Sequence, residues 1–330
     1  MTKYFSDNLG AMNFQQLRII REAERCHFNL TEVAKVLYTS QSGISRHIRE
    51  LEEELGVELF IRHGKRFLGL TEPGKEMLII ARRILNDADK AQRLAEHFTG
   101  QHQGVLTIAT THTQACYSLP QVIKVFREIY PGIRLVLNQG SPTEIMKMLL
   151  NGEADIGIAS EMLTQNSNIT AFPWFDWHHS LLVPAEHELV WSPDITLEQL
   201  ATYPLVTYRY GIAGRSQIDK AFHNARLNPD IVLSAQDSDV VKTYVKLGLG
   251  IGIVAETASQ HSLDPDLVTL KARHLFSPNT VWMAVKHGQL QRDYLWEFIL
   301  LCNPDLSLDK IKNSVVAGNK NIPTWLDFEI

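Results

Sequence analysis

Residues 109–114 read Ala-Thr-Thr-His-Thr-Gln, after the apolar run Val105-Leu106-Thr107-Ile108 and before Ser118-Leu119-Pro120, where a helix is expected to begin. A hydroxyl-rich segment between strand and helix can cap the helix, carry catalysis or hold a small polar ligand. Thr111, Thr113 and Gln114 can donate to oxygen atoms, and backbone N–H groups near a helix N-terminus favour an anion. Ser160 follows the expected strand 155–159 in the corresponding position. These four residues are candidate donors to a small anionic or zwitterionic ligand. The plainer alternative is that their hydroxyls cap helices and satisfy loop backbone.

A second group with chemical potential lies in residues 41–55, QSGISRHIRELEEEL. Ile44, Ile48, Leu51 and Leu55 recur at helical spacing as a buried stripe, and Gly56 supplies the stop. Ser42, Ser45, Arg46 and Arg49 recur on the other side, while the acidic run Glu52-Glu53-Glu54 comes only afterwards. With Ser40 and Gln41 at the helix start, this is a polar, cationic face of the kind that enters the DNA major groove: Arg bonds guanine bidentately, and Ser and Gln contact bases or phosphates. The alternative is a merely solvated face. Residues 57–61 and 67–70 read as strands around the turn His63-Gly64-Lys65-Arg66, a wing whose Lys65 and Arg66 are placed to neutralise phosphates.

The flanking elements are helical. Asn13 caps a helix carrying Phe14, Leu17 and Ile20, and Thr31 a second carrying Val33, Ala34 and Leu37. Thr71 and Pro73 open a long helix in which Met77, Ala81, Ile84, Ala88, Ala91, Ala95 and Phe98 alternate spacings of four and three. That seam either packs within the chain or pairs with a second copy, and its length favours a homodimer presenting two DNA readers. After Gly100 strands and helices alternate, which predicts two α/β lobes with mostly parallel sheets and a ligand cleft beyond the strand ends. Ser141-Pro142-Thr143-Glu144 forms a capping box at one helix start.

Composition narrows the function classes. The chain has 330 residues, 45% apolar and 21% charged, with a net charge of −5. Residues 1–100 carry 15 Lys+Arg against 14 Asp+Glu, and the remainder 17 against 23, so the acidity resides in the second part. No signal-peptide pattern and no apolar run of about 20 residues is present, which predicts a cytoplasmic protein with no membrane partner. Cys26, Cys116 and Cys302 are too scattered to suggest a disulfide framework or zinc site, and the neighbours His178 and His179 would point to opposite faces of a strand, so no metal is expected. No cofactor is expected either. Motifs of hydrolases, zincins, P-loop enzymes and dinucleotide enzymes are absent, and His112 has no evident partner as a general base, so no enzyme is expected.

The segment LTEVAKVLYTSQSGISRHIRELEEELGVELFIR, followed by GKRFLGLTEPG and a long helix, resembles the N-terminal domain of LysR-type transcriptional regulators. Ala34, Ser40, Gln41, Ser45, Ile48, Leu51, Glu52, Leu55, Gly56, Leu59, Phe60, Arg62, Thr71 and Gly74 carry the match; many members have Pro where Ser42 stands. The stretches IATTHTQACYSLP, NQGSPTEI, GEADIGIASE, YPLVTYRYGIAGRSQID and DSDVVKTYVKLGLGIGIVA are similar to the CysB subgroup, which governs sulfur assimilation and cysteine synthesis.

The resemblance implies an N-terminal all-α winged helix-turn-helix (12–70), a linker and dimerisation helix (71–100), a two-lobed α/β effector domain of periplasmic-binding-protein type (101–305) and a tail (306–330). Lobe I would span about 101–172 and 277–305, lobe II about 173–276. It implies a double-stranded DNA operator, self-association as dimer and tetramer, and contact with RNA polymerase. The effector would be N-acetylserine or O-acetylserine, with sulfate or thiosulfate as further ligands, at Thr111, Thr113, Gln114 and Ser160. A LysR-type regulator of an unrelated carboxylate or aromatic effector is the alternative. Two departures bear on ligand choice: Ala213 stands where the enteric form of the family has Thr, and Cys116 where Arg is expected.

Overall fold

The computed structural model describes residues 12–64, 66–98, 104–160, 163–164, 166–192, 194–260, 264–287 and 292–317. They form two units, one of residues up to 101 together with 151–153 and one of the remainder, which are described separately.

In the first unit, α1 (Phe14–Arg25) starts at Asn13, whose side chain accepts from Gln16 N–H while Gln16 returns the bond to Asn13. Leu17, Ile19, Ile20 and Ala23 are buried, but Phe14, expected on that face, is exposed. The cap of α2 (Leu30–Val36) is Asn29 rather than Thr31: its side chain accepts from the N–H groups of Thr31 and Glu32, so the helix begins earlier than expected. α3 (Gln41–Leu55) is capped by the Ser40 hydroxyl and ended by Gly56, whose φ of 69° is left-handed.

The buried stripe of α3 stops at Leu51, and Leu55 is 37% exposed. Glu52 is the residue whose role the acidic run hid. It is buried; its Oε1 accepts from the N–H groups of Leu59 (2.8 Å) and Phe60 (3.1 Å), and Oε2 bonds the Arg62 guanidinium. A carboxylate held by backbone donors and a guanidinium fastens α3 to the wing. The first wing strand, β1 (Phe60–His63), consequently starts later than the expected residue 57, and it pairs antiparallel with β2 (Arg66–Leu70).

Thr71 begins α4 (Glu72–Phe98), accepting from Gly74 N–H at 3.1 Å and donating to Glu58 O at 2.6 Å. Gly74 has a packing reason: a Cβ there would lie 2.0 Å from the Leu59 carbonyl oxygen. Gly74→Ala should therefore cost about 1–3 kcal/mol of stability, read as a lower urea midpoint for loss of helical circular dichroism. Along the expected seam, Ala81 is fully buried and packs with Leu17 and Leu85, beside Ile84. This half of the seam covers α1 of the same chain. Ala91 is exposed, and the side chains of Ala95 and Phe98 lie outside the described residues.

The second unit contains β3 (Gly104–Thr110), α5 (Leu119–Ile129), β4 (Ile133–Gln139), α6 (Pro142–Leu150), β5 (Ile156–Ala159), β6 (Ile169–Trp177), β7 (His179–Pro184), α7 (Leu197–Leu200), β8 (Leu205–Tyr208), α8 (Arg215–Asn224), β9 (Ile231–Ala235), α9 (Ser238–Lys246), β10 (Ile251–Ala255), α10 (Glu256–Gln260), β11 (Leu267–Lys271), β12 (Asn279–Lys286), α11 (Asp293–Cys302) and α12 (Leu308–Ala317). One sheet has the order β4-β3-β5-β12-β6, the other β11-β7-β10-β8-β9. β3 runs parallel to β4 and β5, and β8 parallel to β9 and β10, whereas β12 and β7 run antiparallel to both of their neighbours. The sheets are thus mixed, a correction to the mostly parallel expectation, because the chain crosses between them at Trp177 to His179 and again after β11.

Each lobe has its own core. Ile108, Phe126, Ile158, Met283 and Phe298 belong to the first; Leu181, Leu205, Phe222, Ile253 and Phe276 to the second. The expected tail contributes α12, with Ile311 and Val315 in the first lobe's core. Trp325, Leu326 and Phe328 lie outside the described residues. No described helix is long and apolar enough to cross a membrane.

Candidate functional site

In the first unit, Ser40, Gln41, Ser42, Arg46 and Arg49 are exposed on the N-terminal half of α3, and Ser45 is half-buried beside them. The Ser40 hydroxyl accepts from Gly43 N–H and lies 3.1 Å from the Ser42 hydroxyl, so its first task is to cap the helix. Arg46 stands 3.5 Å from Glu50, an exposed pair of small net worth that an operator can displace. Arg66 is exposed at the start of β2; Lys65 falls outside the described residues. One face of one helix thus presents two guanidiniums with hydroxyl and amide donors, the inventory for reading base edges.

In the second unit, Thr111, Thr113, Gln114, Ser160, Pro142, Trp177, Ala213 and Ala255 enclose a cavity of about 10 Å³, room for about one water. All four candidate donors therefore meet. Residues 112–114 are not loop, as expected, but already helical, running through a π-turn (Gln114–Ser118) into α5. A π-turn widens the backbone by one residue, and such turns recur at functional sites. Gln114 accepts from the Ser118 hydroxyl at 2.7 Å through Oε1, which turns its amide NH₂ the other way. Trp177 donates its indole N–H to Ser160 at 3.0 Å, leaving the Ser160 proton to be donated.

Trp177 was missed in the sequence because an aromatic residue at a strand end carries no site signature. Its neighbour His179 carries no metal or catalytic signature in the sequence. It is fully buried, with Nε2–H donating to Ala213 O at 3.2 Å and its ring against Trp177 and Phe276. Burial pushes its pKa down to about 4, the bond to Ala213 opposing. His179 thus stands as a neutral prop under the turn carrying Ala213, whose φ of 48° is left-handed. Gly214, at φ 70°, lies so close to Asn279 that a Cβ would meet its side-chain nitrogen at 2.6 Å.

At the cavity's edge the two lobes touch through polar groups. His112 Nε2 lies 2.8 Å from Asp239 Oδ2, Tyr117 donates to Asp239 Oδ1 at 2.6 Å, and Lys242 donates to the Tyr117 hydroxyl at 2.9 Å. Burial alone would lower the His112 pKa, but bonds to Asp239 and Gln139 outweigh it and the pKa is raised. Burial and then Asp239 push the Tyr117 phenol up. The partner that sequence did not reveal for His112 is therefore Asp239.

Cys116 lies 3.6 Å from His112 Nε2, yet these three residues do not make a nucleophilic triad. Sγ is 3.6 Å from Nε2 and 3.9 Å from Nδ1, so the thiol lies beside the ring and in line with neither nitrogen's lone pair, as a proton relay would need. Burial and the charges of Asp239 and Asp237 also push the Cys116 pKa up, the reverse of activation.

Comparison with known proteins identifies the two modules. Residues 14–75 match the model of the bacterial regulatory helix-turn-helix protein, lysR family, and residues 99–306 that of the LysR substrate binding domain. The HTH-type transcriptional regulator cbl of Escherichia coli (strain K12) is 62% identical over 319 residues, covering 97% of this chain and 100% of that protein. The HTH-type transcriptional regulator CysB of Burkholderia cenocepacia is 46% identical over 304 residues, covering 92% and 97%. The crystal structure of the cofactor-binding domain of the Cbl transcriptional regulator superposes with a TM-score of 0.64 at 60% identity, over 65% of this chain and 94% of that one. With both modules matched in order and close relatives aligned nearly end to end, the chain belongs to the LysR family of transcriptional regulators, in its CysB-like subgroup.

Proposed function

We propose that this regulator controls genes of sulfur assimilation and cysteine biosynthesis, and that a small anionic effector, N-acetylserine or O-acetylserine with sulfate or thiosulfate as further ligands, binds at Thr111, Thr113, Gln114 and Ser160. The observation that carries the reading is the convergence of these residues, from two strand ends, on one enclosed cavity lined by hydroxyl and amide donors. Donors without a facing carboxylate favour an oxyanion. A cavity of about 10 Å³ is too small for an acetylated amino acid, so binding requires the lobes to part, and a ligand with unequal affinity for open and closed forms can shift their populations.

The α3 face and wing, with Ser40, Gln41, Ser42, Ser45, Arg46, Arg49, Lys65 and Arg66, read the operator. α4 pairs two copies, using the face opposite α1 where Ile79 and Ile80 are exposed, and further lobe contacts build a tetramer. Ligand changes the angle between DNA-binding pairs, and RNA polymerase reads the altered complex.

Calorimetric titration of the full chain with N-acetylserine, O-acetylserine, sulfate and thiosulfate tests the effector. A saturable heat that Ser160→Ala weakens is expected; no heat with any of the four removes the sulfur reading. Ala213 supplies no hydroxyl, so Ala213→Ser should tighten the best of these ligands by about 2- to 10-fold, the worth of one neutral hydrogen bond of about 0.5–1.5 kcal/mol. Unchanged affinity would place residue 213 outside the ligand's reach.

A further inference from the structure

We propose that His112, Asp237 and Asp239 bind one borderline divalent transition-metal ion, of the zinc or cobalt kind, across the seam between the lobes. His112 lies on the helical stretch after β3 and turns Nε2 towards the second lobe, 2.8 Å from Asp239 Oδ2. The start of α9 supplies the other side: ligand atoms of His112, Asp237 and Asp239 all lie within 4.8 Å of one another. Asp237 uses Oδ1 to cap α9, accepting from the N–H groups of Asp239 and Val240, and presents Oδ2 as a ligand.

The His112–Asp239 hydrogen bond of 2.8 Å would lengthen by about 0.5 Å as the ion replaces the shared proton, a side-chain adjustment at half-exposed positions. An imidazole beside carboxylates suits zinc or cobalt better than magnesium or calcium. Charge also balances, because the two carboxylates oppose the ion's two charges. The chain thus has a metal site where its scattered cysteines and histidines predicted none, and an ion there would tie the lobes closed over the cavity. The site rests on this geometry alone, not on the identity of the effector.

Zn²⁺ titrated calorimetrically and Co²⁺ titrated optically into the full chain, free of any histidine tag, give the test. One equivalent per chain is expected, with the visible absorption bands of protein-bound cobalt. His112→Ala and Asp239→Asn should weaken Zn²⁺ binding by at least about 100-fold, since losing even an outer partner of a ligand costs about 10- to 100-fold. Asp237→Asn keeps a capping side chain and should weaken binding equally. No stoichiometric uptake, or the same affinity in His112→Ala and Asp239→Asn as in the parent, overturns the site. Loss of effector heat with retained metal binding would count only against the sulfur reading.

Discussion

Operator affinity is expected to fall by about 10²- to 10⁴-fold in an Arg46→Ala, Arg49→Ala double variant, because each good bidentate guanidinium–base pair is worth about 1–3 kcal/mol. Both side chains are exposed on the same face of α3, and the only ion pair either makes among the described residues is Arg46 with Glu50. Removing them leaves the buried side of the helix, with Ile44, Ile48, Leu51 and Glu52, untouched. Fluorescence anisotropy with operator DNA at one fixed salt concentration measures the loss, and it should exceed the loss of affinity for unrelated DNA. The effector isotherm should not change, since these residues belong to the other unit. Equal operator affinity in variant and parent would falsify the reading face assigned to α3.

Acid sensitivity centred on His179 is the second large effect. Its pKa is about 4 in the folded protein against 6.5 for an unperturbed ring. The unfolded chain therefore takes up this proton first. The contribution to stability is complete above pH 6.5 and is lost as pH falls from there towards 4, amounting to about 3 kcal/mol. His179→Gln cannot gain this charge, so urea-derived stability should fall less steeply between pH 7 and 4.5 in the variant than in the parent. Equal slopes would show that His179 does not govern acid unfolding. The same substitution weakens the support of the Ala213 turn, so a looser effector isotherm at pH 7 is the expected companion.

The reading of α3 from its sequence shows where local pattern suffices. Ile44, Ile48 and Leu51 recur at helical spacing, and the structure buries them; Ser40 and Gly56 bound the helix as their side-chain and backbone preferences require. Glu52 shows where it fails. Within an acidic run it looks solvated, and only the approach of the wing supplies the N–H groups of Leu59 and Phe60 and the guanidinium of Arg62 that make its burial favourable. Gly74 is of the same kind, since the Leu59 carbonyl that excludes a side chain there belongs to another element.

By itself, then, the sequence determined what depends on neighbours along the chain: the helical periods, most caps, the exposed cationic face of α3, the alternation of strands and helices, and the donor character of Thr111, Thr113, Gln114 and Ser160. Those properties arise from side-chain chemistry and the repeat of one element, and both are local. Tertiary structure alone decided which distant groups meet. It brought Trp177 onto the Ser160 hydroxyl, buried His179 as a neutral prop beneath Ala213, and carried Asp237 and Asp239 from the second lobe to His112 of the first. No local pattern encodes such encounters, because they follow from two chain crossovers that set the ends of β3 and β5 against the starts of helices in the other lobe.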